Sequence, residues 1–248
     1  MYVVTQCSEQ NPKNVAVIFD MDGVLVDSMR IQWKSWGKPA KKRGLSLPSE
    51  KDVMKRGGYK PCAFINEFWA CEEFTPSDVE IFAEEKEEHF EELLFQDFPE
   101  MPGAKWLIKS LWEQGVDIAI GSSSSRNGVS KVVEKMGIKE YFRKYPAHTV
   151  SGEDVDETGE VVQSKPAPDI FTLAAKRLDR KPSECLVIED AKAGVIAATR
   201  AGMQCIAFRS WGHEDEKYEV DNDNVVNALD ENTLEKILNL LKILQEIS

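Results

Sequence analysis

Five apolar residues in a row, Val15-Ala16-Val17-Ile18-Phe19, run into two acids and a glycine, Asp20-Met21-Asp22-Gly23. So short an apolar segment, rich in β-branched residues, reads as a strand buried on both faces, the kind found in parallel sheets. Its carboxyl end carries both carboxylates, and open α/β sheets bind their ligands at the carboxyl ends of strands. Two carboxylates held there repel each other and are costly to desolvate, and a bound cation relieves both penalties. The chain is therefore constrained to build an acid-lined crevice at one end of a parallel sheet.

The rest of the pattern agrees. After Ser28 the texture turns helical: Met29, Trp33, Trp36 and Ala40 recur at helical spacing, and Gly37 and Pro39 bend or end that helix. Residues 61–71 read as an aromatic helix. Thr75-Pro76-Ser77-Asp78 reads as an N-cap, a first-turn proline and an acidic third position, opening a helix to about Leu94. No strand is expected between residues 29 and 98. From Pro102-Gly103 onward strands and helices alternate: a helix over 103–114, a strand over 116–121, a helix over 127–136, and a weak strand near 145–150. A helix over 168–178, a strand over 185–189, a helix over 192–201 and a strand over 203–208 follow. The last helix is expected to start at Asn232 as N-cap, with Glu235 completing a capping box and Leu234, Ile237, Leu238, Leu241, Leu244 and Ile247 as its apolar stripe. Alternating β and α units specify an α/β fold with a doubly wound parallel sheet, interrupted by an all-helical insertion. The division is a core of residues 1–28 and 99–248 and an insertion of residues 29–98.

Charge narrows the partners. A formal net charge of −12 argues against nucleic acid and anionic membranes, while leaving room for a small anion in a local positive pocket. No apolar run is long enough to span a bilayer. The five cysteines (Cys7, Cys62, Cys71, Cys185, Cys205) form no CxxC pair. Cys185 and Cys205 sit inside strand-like runs and read as buried free thiols of a reducing compartment. Residues 1–14 have neither the basic start nor the apolar stretch of a secretory leader. A cytoplasmic monomer is the expectation.

Three strands end in chemistry-bearing residues: the first in Asp20 and Asp22, the one at 116–121 in Ser122, and the one at 185–189 in Glu189-Asp190. Ser123 to Ser125 leave the register of the hydroxyl open, with Ser123 as a further candidate. Lys165 lies in a proline-fixed loop, Ser164-Lys165-Pro166-Ala167-Pro168. In a parallel sheet these ends share one edge. Acids there suit an oxygen-seeking cation such as Mg²⁺, which also takes phosphate oxygens. A hydroxyl and an amine suit the remaining oxygens of a phosphoryl group. One carboxylate can then attack phosphorus, and a second can serve as acid and base.

With these four motifs together, the chain resembles the haloacid dehalogenase superfamily, in its β-phosphoglucomutase-like phosphatase branch. The resemblance rests on Asp20 to Ser28, Ser122, Ser164 to Asp169, and Glu189-Asp190-Ala191-Lys192-Ala193-Gly194, and covers about residues 15–210. It implies a Rossmann-like core, a helical cap formed by residues 29–98, and Mg²⁺ as cofactor. It implies Asp20 as the nucleophile that forms an aspartyl-phosphate and Asp22 as general acid and base, with its backbone carbonyl on the metal. Asp190 is implied as a metal ligand, Glu189 as a ligand or its partner, and Ser122 and Lys165 as the phosphoryl grip. The implied activity is hydrolysis of a small phosphorylated metabolite. A sugar-phosphate mutase is the alternative, and a C–halogen hydrolase or a silent phosphate-binding protein are more distant ones. The mutases carry a histidine at the position of Gln32, and an amide cannot relay a proton as imidazole does. Lys55, Arg56 and Lys60 form a basic loop that either meets the substrate or is a solvated turn. Lys86 lies on the apolar stripe of the helix at 76–94, with its stem along that face or its ammonium over the crevice. The acidic side of the same helix (Glu80, Glu84, Glu85, Glu87, Glu88, Glu91, Glu92) is expected to face solvent, and His89 to lie on the surface.

Overall fold

A computed structural model describes residues 14–54, 61–69, 74–210 and 217–247. The first strand, β1 (Ala16–Phe19), is buried along its whole length. Five helices follow, α1 (Met29–Ser35), α2 (Gly37–Lys42), α3 (Glu50–Met54), α4 (Pro61–Phe68) and α5 (Pro76–Gln96), with no strand among the described residues between them. The remainder alternates: α6 (Ala104–Glu113), β2 (Asp117–Gly121), α7 (Arg126–Met136), β3 (Thr149–Val150), α8 (Asp169–Arg177), β4 (Cys185–Glu189), α9 (Lys192–Arg200), β5 (Gln204–Phe208), β6 (Val225–Val226) and α10 (Glu231–Ile247). The six strands form one parallel sheet in the order β3-β2-β1-β4-β5-β6. β1 lies at the centre, between β2 and β4, so the ends of all three strands singled out above are adjacent.

Side-chain alternation on β1 divides the core. Val17 and Phe19 join a cluster with α6, α7 and α10 on one face, while Ala16 and Ile18 join another with α8 and α9. Burying side chains of this kind is worth roughly 1.5–3 kcal/mol each, which is why β1 has no polar position before Asp20. Cys185 and Cys205 are buried free thiols, as their apolar context requires, and burial pushes the Cys185 thiol up to about 12. Cys7 and Cys71 lie outside the described residues.

The helices α1 to α5 carry an aromatic core of their own. Trp36 stacks on Phe64 at 4.5 Å and meets Phe82 edge-on, and Trp69 stacks on Phe82 at 5.2 Å. The Thr75 cap is as read from the sequence: its hydroxyl accepts from the Asp78 amide while the Asp78 carboxylate accepts from the Thr75 amide. Chain direction reverses at a pair of adjacent linkers. Asp27 N–H donates to the Pro99 carbonyl (2.8 Å) and Met101 N–H to the Leu25 carbonyl (2.9 Å), so the outgoing and returning strands are laced together by backbone.

Three local readings need correction. The cap of α10 is Asp230, whose carboxylate accepts from the Thr233 amide, two residues before Asn232. His89 is half-buried, with its Nδ1 2.8 Å from the Ser35 carbonyl, and is not a free surface residue. The acidic side of α5 is not all solvated: Glu85 pairs with Lys42 and Arg43, and Glu91 meets Ser125, Asn127 and Lys131. For His89 and the acids of α5 a tertiary partner, which no local window contains, decided the outcome.

At the opposite edge of the sheet, His148 is buried and its Nδ1 has no hydrogen-bond partner. Burial holds its pKa below the usual imidazole value; Asp117 and Asp179 oppose that effect, and Lys144 and Arg143 reinforce it. The folded state thus prefers the neutral ring. This contribution is present above the unfolded value of about 6.5 and is lost as pH falls below it. Denaturant titrations at pH 7.5 and 5.5 are expected to show a smaller loss of stability in His148→Phe than in the unaltered protein. Equal losses would remove His148 as the source.

Candidate active site

The turn after β1 is built around a glycine that nothing else replaces. Gly23 has a φ of 84°, and a side chain there would overlap the Asp190 carboxylate. The amides of Leu25 and Val26 both donate to the Met21 carbonyl, at 2.8 and 3.1 Å, closing a tight loop that leaves Asp20 and Asp22 at its mouth. Gly194, in the first turn of α9, plays the corresponding part for Glu189, since a methyl group at that position would overlap the acid. Asp190 and Glu189 therefore sit where they do because a neighbouring residue has no side chain.

Asp20, Glu189 and Asp190 are all buried, and each offers a carboxylate oxygen within 4.8 Å of the others. Lys165, joined to Pro166 by a cis peptide, extends its ammonium into this group. It pairs with Asp20 and donates to Glu189 Oε1 at 2.8 Å, and it rests over the Phe171 ring. The other oxygen of Glu189 accepts from the Ala191 amide at 2.6 Å. Asp190 Oδ2 accepts from the Ser210 hydroxyl at 2.7 Å, and its backbone carbonyl from the Tyr218 hydroxyl at 2.6 Å.

One ammonium among three carboxylates leaves the site short of positive charge. Burial raises the pKa of Asp20 well above the ordinary carboxylate value; Lys165 opposes this, and Glu189, Asp190 and Asp22 add to it. Asp190 is raised as well, by burial and then by Glu189, against the hydrogen bond from Ser210 and the charge of Lys165. Burial alone would lower Lys165, but Asp20 and Glu189 override it and raise its pKa. A divalent cation with oxygen ligands would meet the remaining deficit, and the donor set is of the kind Mg²⁺ takes.

The four serines after β2 have separate surroundings. Ser122 is buried and its hydroxyl accepts from the Ser124 amide at 3.0 Å. Ser123, the further candidate, is the exposed member of the run. Ser124 donates to Asp22 Oδ2 at 2.6 Å. Ser125 caps α7 through the Gly128 amide and donates to Glu91 of α5. The carboxylate of Asp22 thus turns to Ser124 and stands outside the acid triangle. Ser124, Ser210 and Tyr218 were not singled out from the sequence. For Ser124 a signal existed in the serine run after a strand end; for Ser210 and Tyr218, beyond β5, none did.

Among the helices of the insertion, Lys86 is buried. Its ammonium donates to Gln32 Oε1 at 2.6 Å and to Glu87, and it lies 4.9 Å from the Phe90 ring centre. Lys55, Arg56 and Lys60 lie outside the described residues.

A family model described as haloacid dehalogenase-like hydrolase matches residues 17–208. A bifunctional riboflavin kinase/FMN phosphatase of Arabidopsis thaliana is 42% identical over 137 residues, 55% of this chain, and the chain spans only 33% of that protein. A probable pseudouridine-5'-phosphatase of Drosophila melanogaster is 34% identical over 76% of this chain and 79% of its own length. Among solved structures, a HAD hydrolase of family IA, variant 3, from Entamoeba histolytica superposes with a TM-score of 0.76 at 25% identity, over 92% of this chain and 99% of that one.

Proposed function

The chain belongs to the haloacid dehalogenase-like hydrolase family, and from that membership we propose that it hydrolyses a small phosphate monoester through a phosphoryl group carried on Asp20. The observation that carries the reading is the grip of Lys165 on both Asp20 and Glu189 at the carboxyl edge of three adjacent strands. A structural ion pair has no need of a third buried acid or of a hydroxyl, Ser122, at the end of the next strand.

In this reading an Asp20 oxygen attacks phosphorus as the bond to the substrate oxygen breaks, and Asp22 gives that oxygen its proton. Asp22, now a carboxylate, takes a proton from water. The water oxygen bonds to phosphorus, the Asp20–phosphorus bond breaks, and inorganic phosphate leaves. Ser122 and Lys165 hold the phosphoryl oxygens throughout. Asp20 and Asp190, with the carbonyl of Asp22, would hold Mg²⁺, which supplies positive charge to the phosphoryl oxygens. Both oxygens of Glu189 already have partners in Lys165 and the Ala191 amide, which supports a role in fixing Lys165 over one in direct ligation. Helices α1 to α5 act as a cap that sets substrate choice, with Lys86 and Gln32 as its polar pair. Gln32, an amide held by Lys86, favours hydrolysis over a mutase cycle. Asp22 favours phosphoryl over C–halogen chemistry, which needs no second acid. No helix among the described residues is long and apolar enough to cross a membrane.

Phosphate release across a panel of sugar phosphates, nucleotides and short phospho-acids tests the proposal. Release is expected with Mg²⁺, loss with EDTA, and recovery on adding Mg²⁺ back. No release from any member, or release indifferent to EDTA, overturns it; isomerised product without phosphate would move the chain to the mutases.

A further inference from the structure

The proposed chemistry asks two opposite things of Asp22, to give a proton and then to take one, and both depend on which of its oxygens faces the reaction. The structure distinguishes the two oxygens. Oδ2 accepts the Ser124 hydroxyl at 2.6 Å, whereas Oδ1 is buried and has no hydrogen-bond partner. A buried carboxylate oxygen left unpaired is costly, so such an atom calls for a reason. The leaving-group oxygen of a substrate, or the water that follows it, would complete its bonding.

Ser124 is itself held from both sides. Its amide donates to Ser122 Oγ at 3.0 Å, and its carbonyl accepts from the Gly152 amide at 3.0 Å. Gly152 can approach that closely because it has no side chain; one there would collide with the Ser123 carbonyl. The hydroxyl is therefore presented by a fixed backbone, one residue past the exposed Ser123 and two past the proposed phosphoryl contact.

We propose that Ser124 is a positioning residue for Asp22. By occupying Oδ2 it places the transferable proton on Oδ1 and holds that atom toward the substrate oxygen. The inference rests on the reading of Asp22 as general acid and goes beyond it by naming what aims the acid. Ser124 touches neither phosphorus nor the leaving group, so its loss should act only where the acid is needed.

Leaving-group dependence separates aiming from mere bracing. An aryl phosphate such as 4-nitrophenyl phosphate departs without protonation, whereas an alkyl phosphate requires it, and kcat/KM covers binding and phosphorus–oxygen cleavage but not the later hydrolysis of the phosphoenzyme. Ser124→Ala is expected to lower kcat/KM for the best alkyl phosphate of the panel on the order of tenfold to a hundredfold more than for 4-nitrophenyl phosphate, a part of the range that general acids supply. Ser124→Thr, which keeps the hydroxyl, should restore the ratio. Asp22→Asn, run in parallel, should show the same discrimination, and more strongly. If Asp22→Asn discriminates and Ser124→Ala lowers both substrates alike, or neither, Ser124 only braces the loop and the inference fails while the mechanism stands. If Asp22→Asn does not discriminate, the acid role itself is refuted and the inference goes with it.

Discussion

Asp20→Asn should abolish turnover while leaving the fold at least as stable as before. The two halves of this result have different causes. An amide oxygen cannot carry the phosphoryl group, and loss of a covalent nucleophile commonly removes 10³-fold or more of the rate, on the order of 10⁶-fold in the best-studied hydrolases. The same change removes one of three carboxylates from a buried cluster in which burial and the neighbouring acids already work against the charge of Asp20. Asn is nearly isosteric and its oxygen can still accept from Lys165. Stability measured in EDTA should therefore hold or rise, the pattern expected when a site is built for reaction at the expense of the fold. Phosphate release, a denaturant titration and an intact-mass search for the phosphoryl adduct on the unaltered protein together check it. Turnover near the original rate would end the nucleophile assignment, and lost turnover with lost stability would leave it unproven by this variant alone.

How much of this could be read in advance follows from where the information resides. The strand at 15–20 and the one at 185–189 were legible because burial on both faces demands an unbroken apolar run, and nothing else of that length does. The three acids were legible because each sits at the end of such a run, in an order that a parallel sheet converts into adjacency, and Lys165 because two prolines fix its loop between the strands at 116–121 and 185–189. Ser123 was not separable from Ser122 and Ser124, since consecutive residues leaving a strand differ only in direction, and direction is set by what they meet: Asp22 for Ser124, Glu91 for Ser125, solvent for Ser123. The same reason hid Ser210 and Tyr218. Their contacts with Asp190 span 20 and 28 residues of sequence and follow no local period. Asn232 looked a better cap than Asp230 because its capping-box partner was visible, whereas the true start of α10 depends on where the chain leaves β6. At the linker, Asp27 fastens the chain through its backbone, a contact with Pro99 that spans the whole insertion and follows no local period, while one oxygen of its carboxylate finds no partner.

Lys165→Met should be damaging in the opposite sense to Asp20→Asn, to fold and reaction together. The ammonium is nearly inaccessible and pairs two acids that are themselves buried. Met matches its length and can keep the contact with Phe171, so the effect is one of charge and not of volume. Removing one partner of a buried pair leaves uncompensated charge, typically about 3–5 kcal/mol, or roughly 10 °C in melting temperature for a chain of this size. The lost contact to the phosphoryl oxygens should lower kcat by about 10²–10³, as for removal of a single fixed donor. If the cause is unpaired negative charge, adding Asp20→Asn to Lys165→Met should recover part of the lost stability, even though the double variant is no more active. A merely structural lysine predicts no recovery, because the second substitution would then remove one more native contact. The double-mutant cycle, measured in EDTA so that no cation substitutes for the ammonium, reads the sign of that coupling directly. A double variant less stable than Lys165→Met would mean that Lys165 is held in place by Asp20 and not needed by it.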